Sequence, residues 1–268
     1  MTKDSTLLKK LHEQVLLLDG AMGTEIQKRG LLGNSALNNV EAPGAVEEIH
    51  RAYLKAGVDI LETNTFAGGR YALSRDGASI PEAELVRRYN LAGVLLARKV
   101  ANDGQNVFVA GSIGPLGKMV APSRKRQVSS EYYLSPEEAF NLFKEQVDVL
   151  REGGVDLLLI ETMIDLREAL LALEAGRKTG LIVGVSMNFD EDLHTAFGNS
   201  IEECVKECVK AGADLFGTNC SSGVLPAIEA VEEIGKFTSI PITVYPNAGK
   251  PDAKGQYLSL IHISEPTR

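Results

Sequence analysis

Three side chains at the ends of apolar runs have the chemistry for a reactive site: the thiol of Cys220 and the carboxylates of Asp19 and Glu161. Cys220 sits in Gly217-Thr218-Asn219-Cys220-Ser221-Ser222-Gly223, at the mouth of a strand-like run. A thiol there is placed to meet a ligand, as nucleophile or metal donor, although a buried strand thiol would have the same neighbours in sequence. Asp19 follows Leu16-Leu17-Leu18, and Glu161 follows Leu157-Leu158-Leu159-Ile160. Two carboxylates at strand ends fit the capture of an ammonium group or a general acid and base. The competing structural roles are an Asx turn or helix cap for Asp19 and an ion pair for Glu161. Val244-Tyr245-Pro246-Asn247-Ala248-Gly249 brings Asn247 to a similar place, and reads equally as a Pro-Asn turn.

The remaining candidates are weaker. Cys204 and Cys208 fall with Ile201, Val205 and Val209 on one helical stripe, with Glu202, Glu203, Lys206, Glu207 and Lys210 elsewhere, the pattern of core thiols. His12 and His50 lie on helical stretches, His194 in a polar turn and His262 near the end, so no zinc pair or catalytic dyad forms.

These residues need elements to hold them. Short β-branched or leucine-rich runs alternate with amphipathic stretches throughout, which predicts an α/β protein with a parallel sheet. Seven strands are expected: Val15 to Ala21, Asp59 to Phe66, Val107 to Pro115, Asp156 to Met163, Leu181 to Phe189, Ala213 to Ser221 and Ile240 to Pro246. A helix is expected over Ser135 to Gly153. Ser135-Pro136-Glu137-Glu138 supplies its N-cap, its first-turn proline and a capping-box glutamate, and Ala139, Phe143, Val147 and Leu150 its buried stripe. A faint repeat links the units: Gly57-Val58-Asp59-Ile60, Gly154-Val155-Asp156-Leu157 and Gly212-Ala213-Asp214-Leu215 each close a helix with glycine and open a strand with aspartate. The fifth residue after each aspartate is Asn64, Glu161 or Asn219, so polar groups end three apolar strands in one register.

The carboxyl ends of the strands are the active face of a (β/α)8 barrel, and polar groups in that register favour it. A doubly wound sheet would announce a nucleotide by a glycine-rich fingerprint after its first strand, and Asp19-Gly20-Ala21-Met22-Gly23-Thr24 is not one. Seven units between Val15 and Gly249 occupy roughly 235 residues, where such barrels take about 250 for eight. The eighth strand is therefore expected to be missing. Residues 1–257 read as the truncated barrel, and 258–268 (LSLIHISEPTR from Leu258) as a foreign or disordered tail.

Composition limits the partners. With 28 Lys plus Arg against 36 Asp plus Glu, the formal net charge of the 268 residues is −8, the wrong sign for nucleic acid or an anionic membrane surface. No apolar run reaches the roughly 20 residues of a membrane helix, and the charged amino terminus has no signal-peptide core, so a cytoplasmic location is expected. Three cysteines are too few for a disulfide framework, and without an export signal the sequon Asn219-Cys220-Ser221 is a chance match.

Taken in order, the segments Leu18-Asp19-Gly20-Ala21-Met22-Gly23-Thr24-Glu25, Glu62-Thr63-Asn64-Thr65-Phe66, Gly111-Ser112-Ile113-Gly114-Pro115, Glu161-Thr162, Gly217-Thr218-Asn219-Cys220 and Pro246-Asn247-Ala248-Gly249-Lys250-Pro251 resemble the homocysteine S-methyltransferases. The closest likeness is to the homocysteine-binding domain of cobalamin-dependent methionine synthases, and it covers about Leu7 to Gln256. It implies a (β/α)8 barrel that binds zinc through three cysteine thiolates and activates the sulfur of homocysteine for methylation. Zn2+ removes the thiol proton and leaves a nucleophile. By motif, the resemblance makes Cys220 the catalytic residue and first zinc ligand. It assigns the substrate's amino end to Asp19 and Glu161 and its carboxylate to the backbone of the Gly20 to Gly23 turn, with Asn64 and Asn247 lining the mouth. The methyl donor it implies is a methylcorrinoid or folate module or protein, with S-methylmethionine or betaine as alternatives. The family's other two zinc ligands form an adjacent cysteine pair, and this sequence has no Cys-Cys. Two other classes therefore stay open: a non-catalytic amino-acid-binding barrel, and a metal-independent barrel enzyme using Asp19 and Glu161.

Overall fold

A computed structural model describes residues 5–74, 82–121, 132–220 and 223–247. Its strands are β1 (Ile60–Glu62), β2 (Phe108–Ile113), β3 (Met119–Val120), β4 (Tyr133–Leu134), β5 (Leu157–Met163), β6 (Ile182–Met187), β7 (Leu215–Asn219) and β8 (Ile242–Tyr245). Six of them form one parallel sheet in the order β1-β2-β5-β6-β7-β8, and β3 pairs with β4 apart from it. Spatial order equals chain order. A doubly wound sheet reverses direction part-way, whereas a sheet that always adds the next strand to the same edge is that of a (β/α)8 barrel. Six curled strands among the described residues make a partial barrel of this type, as expected.

The predicted first strand is reduced to a single parallel bridge from Leu18 to Ile60. Asp59 and Ile60 donate to Leu17 O, and Asp19 donates to Ile60 O, so the segment runs beside β1 without forming a full strand. The expected tail at 258–268 lies outside the described residues.

The glycine-aspartate repeat has a mechanical reason. Gly57, Gly154 and Gly212 all adopt positive φ (92°, 88° and 94°), the left-handed exit that ends a helix at least cost in glycine. Two residues on, each aspartate accepts a backbone N–H of the preceding strand: Asp59 from Leu17 (2.9 Å), Asp156 from Val109 (2.7 Å) and Asp214 from Val183 (2.9 Å). These three units thus latch onto the segments before them.

Strand alternation sorts side chains to two faces. Leu61, Val109, Ile113, Leu158, Ile160, Val183, Val185 and Phe216 pack outward into the main core, against helices 82–101, 136–153, 166–177 and 201–210. The helix Pro136–Gly153 has the expected capping box, and Ala139, Phe143, Val147 and Leu150 are its buried stripe. Cys204 and Cys208 are fully buried core thiols. On the inner face, Ile60, Phe108, Leu157, Ile182 and Leu215 begin their strands and form a second apolar cluster with Leu7, Leu8 and Leu11 of the helix Ser5–Glu13. That helix closes the amino-terminal end of the sheet, so chemistry is confined to the other end.

Candidate functional site

The same alternation that puts Ile60, Leu157 and Leu215 in the lower layer puts Glu62, Glu161 and Asn219 in the upper one. At the tops of the strands the inner face turns polar. Asp19 is buried, its Oδ2 accepts the Glu62 N–H at 3.1 Å, and it caps no helix: the next one, Met22–Lys28, has no side-chain cap. Glu161 accepts the Ser112 hydroxyl and, at 3.1 Å, the Asn219 amide; no ion pair to an Arg or Lys holds it among the described residues. Glu62 Oε1 and Asp19 Oδ1 are buried without a hydrogen-bond partner.

Three carboxylates therefore share one desolvated pocket, and their protonation reflects it. Burial pushes Asp19 well above the carboxylate range, and the Glu161 charge adds to this against the Glu62 N–H. Glu62 is also pushed well up, by burial first and then by the charges of Glu161 and Asp19. Glu161 rises to about 7 through burial, opposed by hydrogen bonds from Ser112 and Glu62. Tyr245, at the end of β8, is pushed up by burial and by the same three acids. Such a cluster is electrostatically incomplete, and a cation entering it would ionise the acids and be held by them.

Cys220 lies beside the cluster and is exposed, unlike the other two cysteines. Its Sγ is 3.6 Å from Thr162 Oγ1 and 3.7 Å from Asn219 Nδ2. Its backbone is pinned by donation of its N–H to Tyr245 O (3.0 Å) and by acceptance from Asn188 Nδ2 (2.8 Å). Cys220 and Thr162 both have positive φ, 54° and 59°, a strained conformation for residues with a side chain. The β5–β6 register shifts between Ile160 and Met163, and this irregularity sets the directions of Glu161 and Thr162. Desolvation raises the Cys220 pKa, a Thr162 hydrogen bond opposes it and the Glu161 charge adds to it. The free side chain is accordingly a thiol at neutral pH.

The other expected residues are distributed unevenly. Gly20 is packed under Tyr53, whose hydroxyl a Cβ at Gly20 would meet at 2.5 Å. Asn64 lies beyond the end of β1, where the chain turns through Thr63 and Thr65; its amide donates to Ser35 O (2.7 Å) and Asn39 Oδ1 (2.9 Å). Those bonds commit it to the neighbouring loop and leave it outside the carboxylate cluster. Asn247 is exposed just after β8. Asn219, which shares the strand-end register of Glu161, belongs to the site, and so do Glu62, Ser112, Thr162 and Tyr245, to which the sequence alone assigns no role. Glu62 was findable, since it ends the run Ile60-Leu61-Glu62 as Glu161 ends Leu159-Ile160-Glu161.

The donor set does not fit a three-thiolate zinc centre. Among the described residues no group of three His, Cys, Asp or Glu is placed to hold a metal. Cys204 and Cys208 are buried, with thiols pushed up by burial, that of Cys204 to about 12. Cys220 supplies one sulfur.

A partial (β/α)8 barrel with a thiol and an acid cluster at its carboxyl-terminal mouth defines the class of barrels that carry their chemistry on the strand-end face. The chain belongs to the homocysteine S-methyltransferase family, whose model matches residues 16–265. It is 32% identical over 276 residues to the methionine synthase of Mycobacterium leprae, covering 94% of this chain and 22% of that protein; the chain thus spans about a fifth of this relative. Among solved structures it resembles the metallated form of the homocysteine methyltransferase MmuM from Escherichia coli (TM-score 0.76, 26% identity, 91% of this chain and 87% of that one). The carboxyl transferase domain of Rhizobium etli pyruvate carboxylase, at 15% identity and TM-score 0.52 over 92% of this chain and 40% of that one, shares the fold. No helix among the described residues is long and apolar enough to cross a membrane.

Proposed function

We propose that the chain binds homocysteine at the strand-end cluster and takes part in methyl transfer to its sulfur, giving methionine. The observation that carries this is the juxtaposition of three under-neutralised acids, buried Asp19 and Glu161 and half-buried Glu62, with one accessible thiol. Asp19, Glu62 and Glu161 hold the ammonium group, and the backbone of the Gly20 to Gly23 turn receives the carboxylate. The sulfur end then reaches Cys220. Asn247 lines the mouth, and Asn64 supports it through the Ser35 and Asn39 loop. Family membership supports zinc as the group that activates the homocysteine thiol when bound, with Cys220 as its first ligand. The remaining donors do not come from the described residues. The likeness to a methionine synthase favours a methylcorrinoid on another module or protein as donor, and the composition favours a cytoplasmic setting without nucleic acid or membrane partners.

The test is calorimetric titration with L-homocysteine together with methionine formation from methylcobalamin. Binding and turnover that both fail in Cys220→Ala or Asp19→Asn support the reading; absence of homocysteine binding overturns it. A second reading, amino-acid binding without methyl transfer, is favoured by the donor set. Homocysteine binding with zinc far below one per chain and no methionine would establish it.

A further inference from the structure

His50 carries an unexplained pair of atoms. It sits on the helix Pro43–Ala56, fully buried, and neither ring nitrogen has a hydrogen-bond partner. The nearest charged atom is Asp19 Oδ2, 3.9 Å from Nδ1. On the far side of that carboxyl, Asp19 Oδ1 is also buried and unpartnered. Histidine nitrogens and carboxyl oxygens left bare in a core are costly, and here bare atoms stand on a ring and a carboxyl that approach each other through Nδ1 and Oδ2.

We propose that His50 is a positioning residue for substrate binding: its Nδ1–H holds Asp19 Oδ2, so that Asp19 Oδ1 is presented to the ammonium group of the amino-acid ligand. This rests on the homocysteine reading above. In the free chain the pair is about 1 Å beyond hydrogen-bond distance, and the cation draws the carboxyl into its ionised, accepting state. Burial lowers the imidazole pKa to about 4, so His50 is neutral. That neutrality is the useful property. A lysine or arginine in its place would cancel the Asp19 charge, whereas a neutral donor fixes the carboxyl and leaves its charge for the ligand. The other groups facing Asp19 do not substitute for it. The Glu62 backbone N–H shares Oδ2, while Glu161 acts on Asp19 as a like charge and Tyr53 and Tyr245 are held as neutral phenols, raised by burial and by Asp19 among others.

The test compares L-homocysteine with 4-mercaptobutanoate, which lacks the amino group, in calorimetric titrations of the full chain as wild type, His50→Leu and His50→Asn. Wild type is expected to prefer homocysteine. His50→Leu should reduce that preference about tenfold or more by weakening homocysteine alone, and His50→Asn, which keeps a donor near the Nδ1 position, should restore most of it. An unchanged preference in His50→Leu overturns the proposal while leaving the functional reading intact. Failure of wild type to bind homocysteine overturns both. If His50→Leu does not fold, nitrogen-15 NMR of the wild-type imidazole decides. An Nδ1–H tautomer whose signal moves with homocysteine and not with 4-mercaptobutanoate supports the assignment, and an Nε2–H tautomer indifferent to both sinks it.

Discussion

Asn219 donates to the Glu161 carboxylate at 3.1 Å, and its own Oδ1 accepts the Thr162 N–H at 2.9 Å. Since Asn219 immediately precedes Cys220, one amide ties the acid cluster on β5 to the thiol at the end of β7. The Ser186 hydroxyl donates to the same Oδ1, which anchors the amide from β6 as well. Asn219→Ala should therefore lower homocysteine affinity about tenfold and increase the alkylation rate of Cys220, since a buried carboxylate loses a donor and the thiol loses its neighbour. Titration calorimetry and iodoacetamide kinetics would report the two effects.

The acids are placed for a ligand at the expense of the free protein. Glu62→Gln should raise the unfolding free energy at pH 7.5, measured by urea titration, by on the order of 1 kcal/mol, while weakening homocysteine binding tenfold or more. A variant that is both less stable and tighter binding would show that Glu62 faces no cation.

Stability should fall as pH rises. Glu161 and Glu168 both have native pKa values raised to about 7 from 4.5, mainly by burial. Their contribution is complete below pH 4.5, where both states are protonated, and is lost as pH climbs through 7, because the unfolded chain ionises first. The ceiling is about 3 kcal/mol for each group. Glu168 accepts the Leu116 N–H at 2.7 Å, and Gln can keep that bond; Glu168→Gln should flatten the drop in urea midpoint between pH 5 and 7.5. Homocysteine, whose ammonium group meets the ionised cluster, should bind more tightly as pH rises to about 7.5 and release protons from the acids, visible as a buffer-dependent binding enthalpy.

The thiols should separate cleanly in a native alkylation assay. Cys220 is exposed and the other two are buried, so one sulfhydryl should react quickly and two only after unfolding. Cys220→Ala should leave the melting temperature nearly unchanged, whereas Cys204→Ala or Cys208→Ala should destabilise by about 1 kcal/mol.

Gly217 is where β7 approaches β8 most closely: a Cβ there would meet Thr243 O at 1.8 Å. Gly217→Ala should displace β8 and, through it, the Tyr245 carbonyl that holds Cys220. A loss of about 2 kcal/mol or more is expected, read by thermal unfolding, with a parallel loss of homocysteine binding.

Fold class was legible because strand and helix periodicities alternate without interruption and because three glycine-aspartate steps mark the joints. Strand ends were less so. Expectations such as Asp59 to Phe66 ran past Ile60–Glu62, since polar residues that follow a strand in sequence turn away from the sheet when side chains such as Asn39 offer their backbone other partners. That is why counting five from Asp59 found Asn64, while the group that faces the site is Glu62. Asp19, Glu161 and Cys220 were identifiable from type and position. His50 was not, because an isolated histidine on an amphipathic helix has no sequence signature; only the emptiness around its ring distinguishes it.

The sheet is laid down in the order in which the chain is made. When a ribosome releases β5, the earlier of its two partners, β2, is already present, and β6, β7 and β8 likewise each find the preceding strand in place. No strand must wait for a later one or displace a pair already formed, so each unit can dock as it emerges, β5 and β7 with the help of the aspartate latches of Asp156 and Asp214. Among the described strands, β7 and β8 dock after the others, and they carry the thiol and its clamp. The reactive sulfur is therefore set in place on a floor of acids assembled before it.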